Sequence, residues 1–241
     1  RITMRGYRSE VSTRLAGYAV YLPEGYDPSR AYPLLICLHG GSSNGNLFVA
    51  LTLGKRVAFG DYRDHWLEVH EPEAHPEWIV VGPDGFGNSF WRFQGERDVL
   101  DVLDDVRRHY SVDEDRVFLY GMSNGGLGSF NVGMRHAWRF SAVVPLAGAP
   151  GWIHYLGGHP SARDLRALTP QSAWPLIENA RNTHLHAHHG QRDPGPMRPR
   201  YVRGLERRVD VLDVPFALTW YAAGHDLVGP VHRRGRVFEH V

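Results

Sequence analysis

The stretch that most constrains this chain is Val117-Phe118-Leu119-Tyr120-Gly121-Met122-Ser123-Asn124-Gly125-Gly126. An apolar β-type run stops at a serine flanked by glycines, and a helix candidate follows. A turn from strand directly to helix crowds the backbone, so small residues are needed on both sides of the serine. Such a turn belongs on a sheet whose strands alternate with helices, and the rest of the sequence keeps that rhythm. Strand candidates are Leu15–Leu22, Tyr32–Leu38, Trp78–Val81, Val117–Tyr120, Phe140–Leu146, His184–His188 and Phe216–Tyr221. Several are continuous apolar runs, as strands covered on both faces require.

Between the strands, Asp98 to Tyr110 carries Val99, Val102, Leu103, Val106 and Tyr110 at helical spacing. Further helices are expected after Ser123, around Gly204–Val209 and from Asp226 onward. The fold class is therefore α/β, a mostly parallel central sheet with helices on both faces. At 241 residues the chain suits one domain, 1–241. Residues 151–182, rich in Gly, His, Pro and Trp, break the rhythm and read either as a cap or lid insertion or as a long connection with one helix. His154 and His159 would line such an insertion or face solvent.

Composition excludes other classes. A net charge of +1 gives no field to gather nucleic acid or an anionic membrane, and no apolar run approaches the roughly 20 residues that cross a bilayer. The expected partner is a small-molecule ester, with no nucleic acid and no membrane; a soluble protein, cytoplasmic or secreted, is expected. Cys37, the sole cysteine, sits among Leu34, Leu35, Ile36 and Leu38 and reads as a buried inert thiol.

Ser123 is the candidate nucleophile. The helix after it would aim N–H groups and a positive dipole end at a developing oxyanion, with Asn124 as one donor. The loop Leu38-His39-Gly40-Gly41-Ser42-Ser43-Asn44-Gly45 offers the second, from Gly41 or Ser42. An acid and a base should follow on later strand ends. His184–His188 leads into His189-Gly190-Gln191-Arg192-Asp193, making Asp193 the candidate acid; Phe216–Tyr221 leads into Ala222-Ala223-Gly224-His225, making His225 the candidate base. Asp210, Asp213 and Asp226 are rival acids that follow no strand at the required place. Fifteen histidines make position more telling than identity.

These features together resemble the α/β-hydrolase superfamily, in particular the esterases that include feruloyl esterases, acetylxylan esterases and polyhydroxybutyrate depolymerases. Gly95-Glu96-Arg97-Asp98-Val99 and Asp113-Glu114-Asp115-Arg116-Val117 are also similar to the catalytic domains of prolyl-oligopeptidase-like enzymes. The resemblance runs from about Tyr18 to His225. It implies an α/β-hydrolase fold and a serine carboxylesterase working through an acyl-enzyme, on an ester of an aromatic or carbohydrate-linked acid, with no cofactor. A peptidase or acyltransferase on the same triad, or a binding protein on the hydrolase scaffold, are the alternatives.

The loop Gly82 to Phe93 should border the site. Trp91 and Ser42 are the expected substrate contacts, Arg92 could meet a carboxylate, and Phe86, Phe90 and Phe93 read as cover for the sheet edge. His184, His186 and His188 share one strand face, a spacing that raises a zinc site; hydrogen-bonded core or loop histidines are the preferred reading, with no metal.

Overall fold

The computed structural model describes residues 1–12, 15–55, 76–155, 160–227 and 231. Its frame is set by runs with no polar face. Tyr32–Leu38, Ile79–Pro83 and Ala142–Leu146 are buried at every position. In chain order the strands are β1 (Ile2–Arg8), β2 (Leu15–Tyr21), β3 (Tyr32–Leu38), β4 (Ile79–Pro83), β5 (Val112–Met122), β6 (Ala142–Leu146), β7 (His184–Gly190) and β8 (Ala217–Tyr221). They form an eight-stranded sheet in the order β1-β2-β4-β3-β5-β6-β7-β8. β1 and β2 pair antiparallel with their neighbours, and the six strands from β4 to β8 run parallel.

The helices are α1 (Gly45–Thr52), α2 (Gln94–His109), α3 (Asn124–Arg135), α4 (Ala162–Leu168) and α5 (Pro199–Leu212). Alternate residues of β3 show how they cover the sheet. Leu34, Ile36 and Leu38 join the cluster that contains Val99, Val102, Leu103 and Val106 of α2, while Leu35 and Cys37 join Leu47, Phe48 and Leu51 of α1 on the other face. Each fully buried aliphatic side chain contributes about 1.5–3 kcal/mol of hydrophobic stabilisation, and this central layer supplies many. Burial pushes the Cys37 thiol up to about 12, so it stays protonated.

Two elements lie outside the expectations. β1 is an edge strand of sequence Ile-Thr-Met-Arg-Gly-Tyr-Arg with only Ile2 and Tyr7 buried. It is held from the side by a row of acids on α2. Asp105 accepts from Arg5 Nε and Tyr18 Oη, both at 2.9 Å; Asp101 accepts from the Glu10 N–H at 3.2 Å; and Asp98 accepts from the Tyr7 hydroxyl. α1 was missed because seven of its eight residues are buried, leaving no polar stripe. Its first turn is capped by Asn44, which accepts from the Leu47 N–H at 2.8 Å.

Strand six starts at Ala142 rather than Phe140, and the 204–209 helix extends over Pro199–Leu212. Between β6 and β7 the chain forms short helical pieces, including α4, whose Ser161 and Asp164 make a capping box. Trp152 of this segment is buried against Leu127 of α3. His159, the side chain of His154 and most of the expected final helix fall outside the described residues. No helix of the described residues is long and apolar enough to cross a membrane.

Candidate active site

β5 ends at Met122 and α3 begins at Asn124, which leaves one residue to reverse the chain. Ser123 makes that turn at φ 61°, ψ −117°, a conformation that costs an L residue about 1–3 kcal/mol. The surroundings enforce it. A Cβ on Gly125 would stand 1.8 Å from the Leu38 carbonyl oxygen, and one on Gly121 would stand 2.4 Å from the Gly125 oxygen. Only glycine fits at either position. The Ser123 N–H donates to the Leu146 oxygen and its carbonyl accepts from Leu127, both at 2.9 Å, so the turn is tied to β6 and to the first turn of α3.

The ends of β7 and β8 are laced together. Gln191 donates to Tyr221 at 2.9 Å and Arg192 to Ala223 at 3.0 Å through backbone bonds, and the Arg192 guanidinium reaches the Ala222 oxygen at 2.9 Å. A Cβ on Gly190 would lie 2.0 Å from the Gly224 oxygen, so the loops bearing Asp193 and His225 pass in direct backbone contact. His225 Nδ1 lies 2.9 and 3.0 Å from the two Asp193 carboxylate oxygens, and Nε2 lies 2.8 Å from Ser123 Oγ. A carboxylate only accepts, so Nδ1 carries the proton and Nε2 accepts from the serine hydroxyl.

Asp193 is only 3% exposed. Behind it, His189 donates from Nε2 to the Met197 carbonyl at 2.7 Å; burial lowers its pKa, opposed by that bond and by the Asp193 charge. A neutral His189 leaves Asp193 to His225. The rival acids are elsewhere: Asp210 is exposed on α5, Asp213 closes that helix at φ 50°, and Asp226 is exposed. On β7, His186 pairs with Thr219 and His188 with Tyr221, at 2.8 and 2.9 Å, with the two imidazoles stacked at 4.3 Å; His184 is exposed.

The loop after β3 presses on the nucleophile. A Cβ on Gly40 would be 3.3 Å from the Ser123 Cβ, and one on Gly41 would be 3.0 Å from Asn124 Nδ2. Ser42 follows, exposed at φ 60°. The Asn124 side chain donates to Asn88 Oδ1 at 3.2 Å, linking this rim to the loop after β4.

In that loop Trp91 is the most buried aromatic, while Phe90 keeps the covering role expected of it, edge-on to Trp152 with ring centres 5.7 Å apart. Trp91, expected to touch substrate, is 3% exposed; it is wedged against Gly85 and Gly128 and donates from Nε1 to the His39 carbonyl at 3.1 Å. It braces the Gly40–Gly41 loop from behind. Phe86 and Phe93, expected to be cover, are 37% and 66% exposed. Phe86, Phe90, Trp91 and Phe93 all have positive φ, which turns the chain so that the indole points inward.

Sequence reasoning gave His39, Asp84 and Asp98 no role of their own, naming them only within the loops and the helix segment that carry them. The His39 ring nitrogens face the Gly40 oxygen at 2.8 Å and the Asp84 oxygen at 3.1 Å. Asp98 accepts from the Gly85 N–H at 2.7 Å and from Tyr7, and burial pushes its carboxyl up to about 6 against the pull of those two bonds. Asp98 lies one turn into α2, within the Gly95–Val99 motif, and that motif was the available signal for it.

The model of the family described as "Putative esterase" matches residues 9–195. The chain belongs to this esterase family. Relatives agree: a bifunctional acetylxylan esterase/xylanase of Neocallimastix patriciarum is 29% identical over 133 residues, covering 54% of the chain and 17% of that protein. Feruloyl esterase C of Emericella nidulans is 31% identical over 134 residues, covering 54% of the chain and 46% of that protein. The matches thus span less than half of either relative. A ferulic acid esterase of known structure superposes over 100% of this esterase and 95% of its own chain with a TM-score of 0.71 at 18% identity. The fold is that of the α/β-hydrolases.

Proposed function

We propose that the protein is a serine carboxylesterase with Ser123 as nucleophile, His225 as general base and acid, and Asp193 as the group that orients His225. The observation that carries this reading is the hydrogen-bonded line from the Asp193 carboxylate through His225 to Ser123 Oγ, with steps of 2.9 and 2.8 Å. Ser123 Oγ attacks the ester carbonyl carbon and its proton passes to His225 Nε2. The carbonyl oxygen becomes an oxyanion and accepts from the N–H groups of Asn124 and Gly41. The alcohol then departs with the proton from His225, leaving an acyl-Ser123. Water, deprotonated by the same imidazole, releases the acid and restores the serine. Asp193 holds the Nδ1–H tautomer and stabilises the imidazolium in both halves.

Esters of an aromatic or carbohydrate-linked acid are the proposed substrates; the names of the feruloyl and acetylxylan esterase relatives support this class. The chemistry calls for no cofactor. The test is a panel of aryl, acetyl-sugar and p-nitrophenyl esters beside peptide anilides, with a fluorophosphonate probe. Burst-phase ester hydrolysis and probe labelling, both abolished by Ser123→Ala in a protein of unchanged circular dichroism, are expected. Full activity in that variant would reject the assignment, and anilide cleavage at rates near those of matched esters would replace esterase with peptidase.

A further inference from the structure

A cavity of about 220 Å³ lies on the flank of α3, lined by Trp91, Arg92, Asn131, Arg135, Trp152 and Gln171 among others. Asn131 is eight residues beyond Ser123 on the same helix, about 12 Å along its axis, so this is not the space in front of the nucleophile. Among its lining groups, Asn131 and Arg92 have unmet hydrogen-bonding capacity. Asn131 is 5% exposed, and neither its Oδ1 nor its Nδ2 has a hydrogen-bond partner; the same is true of Arg92 Nε. A buried amide or guanidinium N–H left unpaired is unfavourable, and a bound partner removes that cost.

The charge of Arg92 is also uncompensated. Its guanidinium bonds the neutral Gln171 amide oxygen and lies 4.7 Å from the Trp152 ring centre and 5.0 Å from that of Phe93. No carboxylate among the described residues pairs with it. The one acid on the cavity wall, Glu96, is engaged by Arg135 at 3.1 Å and His136 at 2.8 Å. Burial lowers the Arg92 pKa, yet an arginine remains a cation in protein surroundings.

We propose that this cavity binds a small aromatic carboxylate, with Arg92 Nε and Asn131 Nδ2 donating to the carboxylate oxygens and the aromatic walls holding the ring. An anion answers the charge of Arg92, which no carboxylate of the described residues pairs with, and charge-assisted hydrogen bonds are the strong ones. The volume falls below the roughly 300 Å³ at which drug-sized pockets begin, which restricts the ligand to a compact acid. Asn131 Oδ1, an acceptor, is left for water. Because Trp91 adjoins Arg92 in the chain and bonds the His39 carbonyl, an occupied cavity would stiffen the support of the Gly40–Gly41 loop.

The test is a fluorescence titration with benzoate, reading the tryptophans of the wall, on the wild type and on Asn131→Asp and Arg92→Met. Asn131→Asp keeps the side-chain shape and sets a second anion beside the ligand. Saturable quenching in the wild type is expected, with affinity reduced about tenfold or more in both variants and no competition from benzyl alcohol. Should Arg92→Met fail to fold, Asn131→Asp carries the test alone. Absence of saturable quenching in the wild type, or equal affinity in the folded variants, overturns the proposal. Asn131→Asp should keep the wild-type rate of ester hydrolysis and label at Ser123, so failure of this site and failure of the esterase reading give different results.

Discussion

Two stretches of the same sheet rim each bury an aspartate, and they use it in opposite ways. At the ends of β7 and β8, Asp193 is 3% exposed and faces His225, whose other nitrogen faces the half-buried Ser123. Beside the loop that follows β4, Asp98 of α2 is 1% exposed and faces two donors of the scaffold, the Gly85 N–H and the Tyr7 hydroxyl. The first carboxylate passes its influence outward to a group that meets solvent. The second holds a loop still. Burial alone therefore says little about role; what decides it is whether the partner is itself free to exchange a proton with something outside.

The widest separation between the two rims should come from matched substitutions. Asp193→Asn keeps the shape but offers His225 an amide that favours the wrong tautomer, and kcat should fall by about 10⁴-fold with little loss of stability. Asp98→Asn should leave kcat within about threefold. Steady-state kinetics on a p-nitrophenyl ester would settle both, and the comparison fails should the two variants lose similar amounts.

A backbone substitution probes the same contrast without touching a polar atom. Gly190→Ala must push a methyl into the Gly224 carbonyl, 2.0 Å away, and so part the loops that carry Asp193 and His225. A loss of about 3–5 kcal/mol in urea unfolding is expected, along with activity. An alanine at Gly87, where nothing lies within 4 Å, carries only the penalty of its φ of 76° and should cost about 1 kcal/mol. Equal losses would mean that the contact of the two loops is not what the fold depends on.

The contrast also explains what could be read from the sequence. The turn at Ser123 is written locally, because Gly121 and Gly125 are needed by contacts within a few residues or with the neighbouring strand. Tyr32–Leu38 was legible to the residue, since a strand buried on both faces has no polar positions to blur its limits. β1 was illegible because only Ile2 and Tyr7 of it are buried, and beyond its pairing with β2 it is tied down by bonds from Arg5 and Tyr7 to Asp105 and Asp98 of α2, about a hundred residues away. The inward turn of Trp91 depends on positive φ at four non-glycine residues, which no propensity foretells. For Asp193 and His225, glycine after a strand marked the loops, while the lacing of one loop to the other is a property of β7 pairing with β8.

Acid titration sharpens the second rim. The folded Asp98 pKa of about 6 stands above its unfolded value near 3.9, so the folded state holds the proton more tightly. Its contribution to stability is therefore largest below pH 4 and is lost as pH rises through 6. Between pH 4 and 7 the wild type should lose on the order of 2–3 kcal/mol relative to Asp98→Asn, measured as the difference between their urea midpoints across pH. A flat difference would mean that Asp98 is ionised in the folded state with its ordinary affinity for a proton.

The smallest effect tests Trp91. Trp91→Phe keeps most of the ring but removes the N–H that reaches the His39 carbonyl at 3.1 Å. An unsatisfied carbonyl and a small void should cost about 1–2 kcal/mol of stability. Because the indole is wedged between Gly85 and Gly128, KM should stay near the wild-type value, and any change should fall on kcat through the loop that precedes Gly41. A large rise in KM with unchanged stability would return Trp91 to the substrate and erase the distinction between a rim that reacts and a rim that supports it.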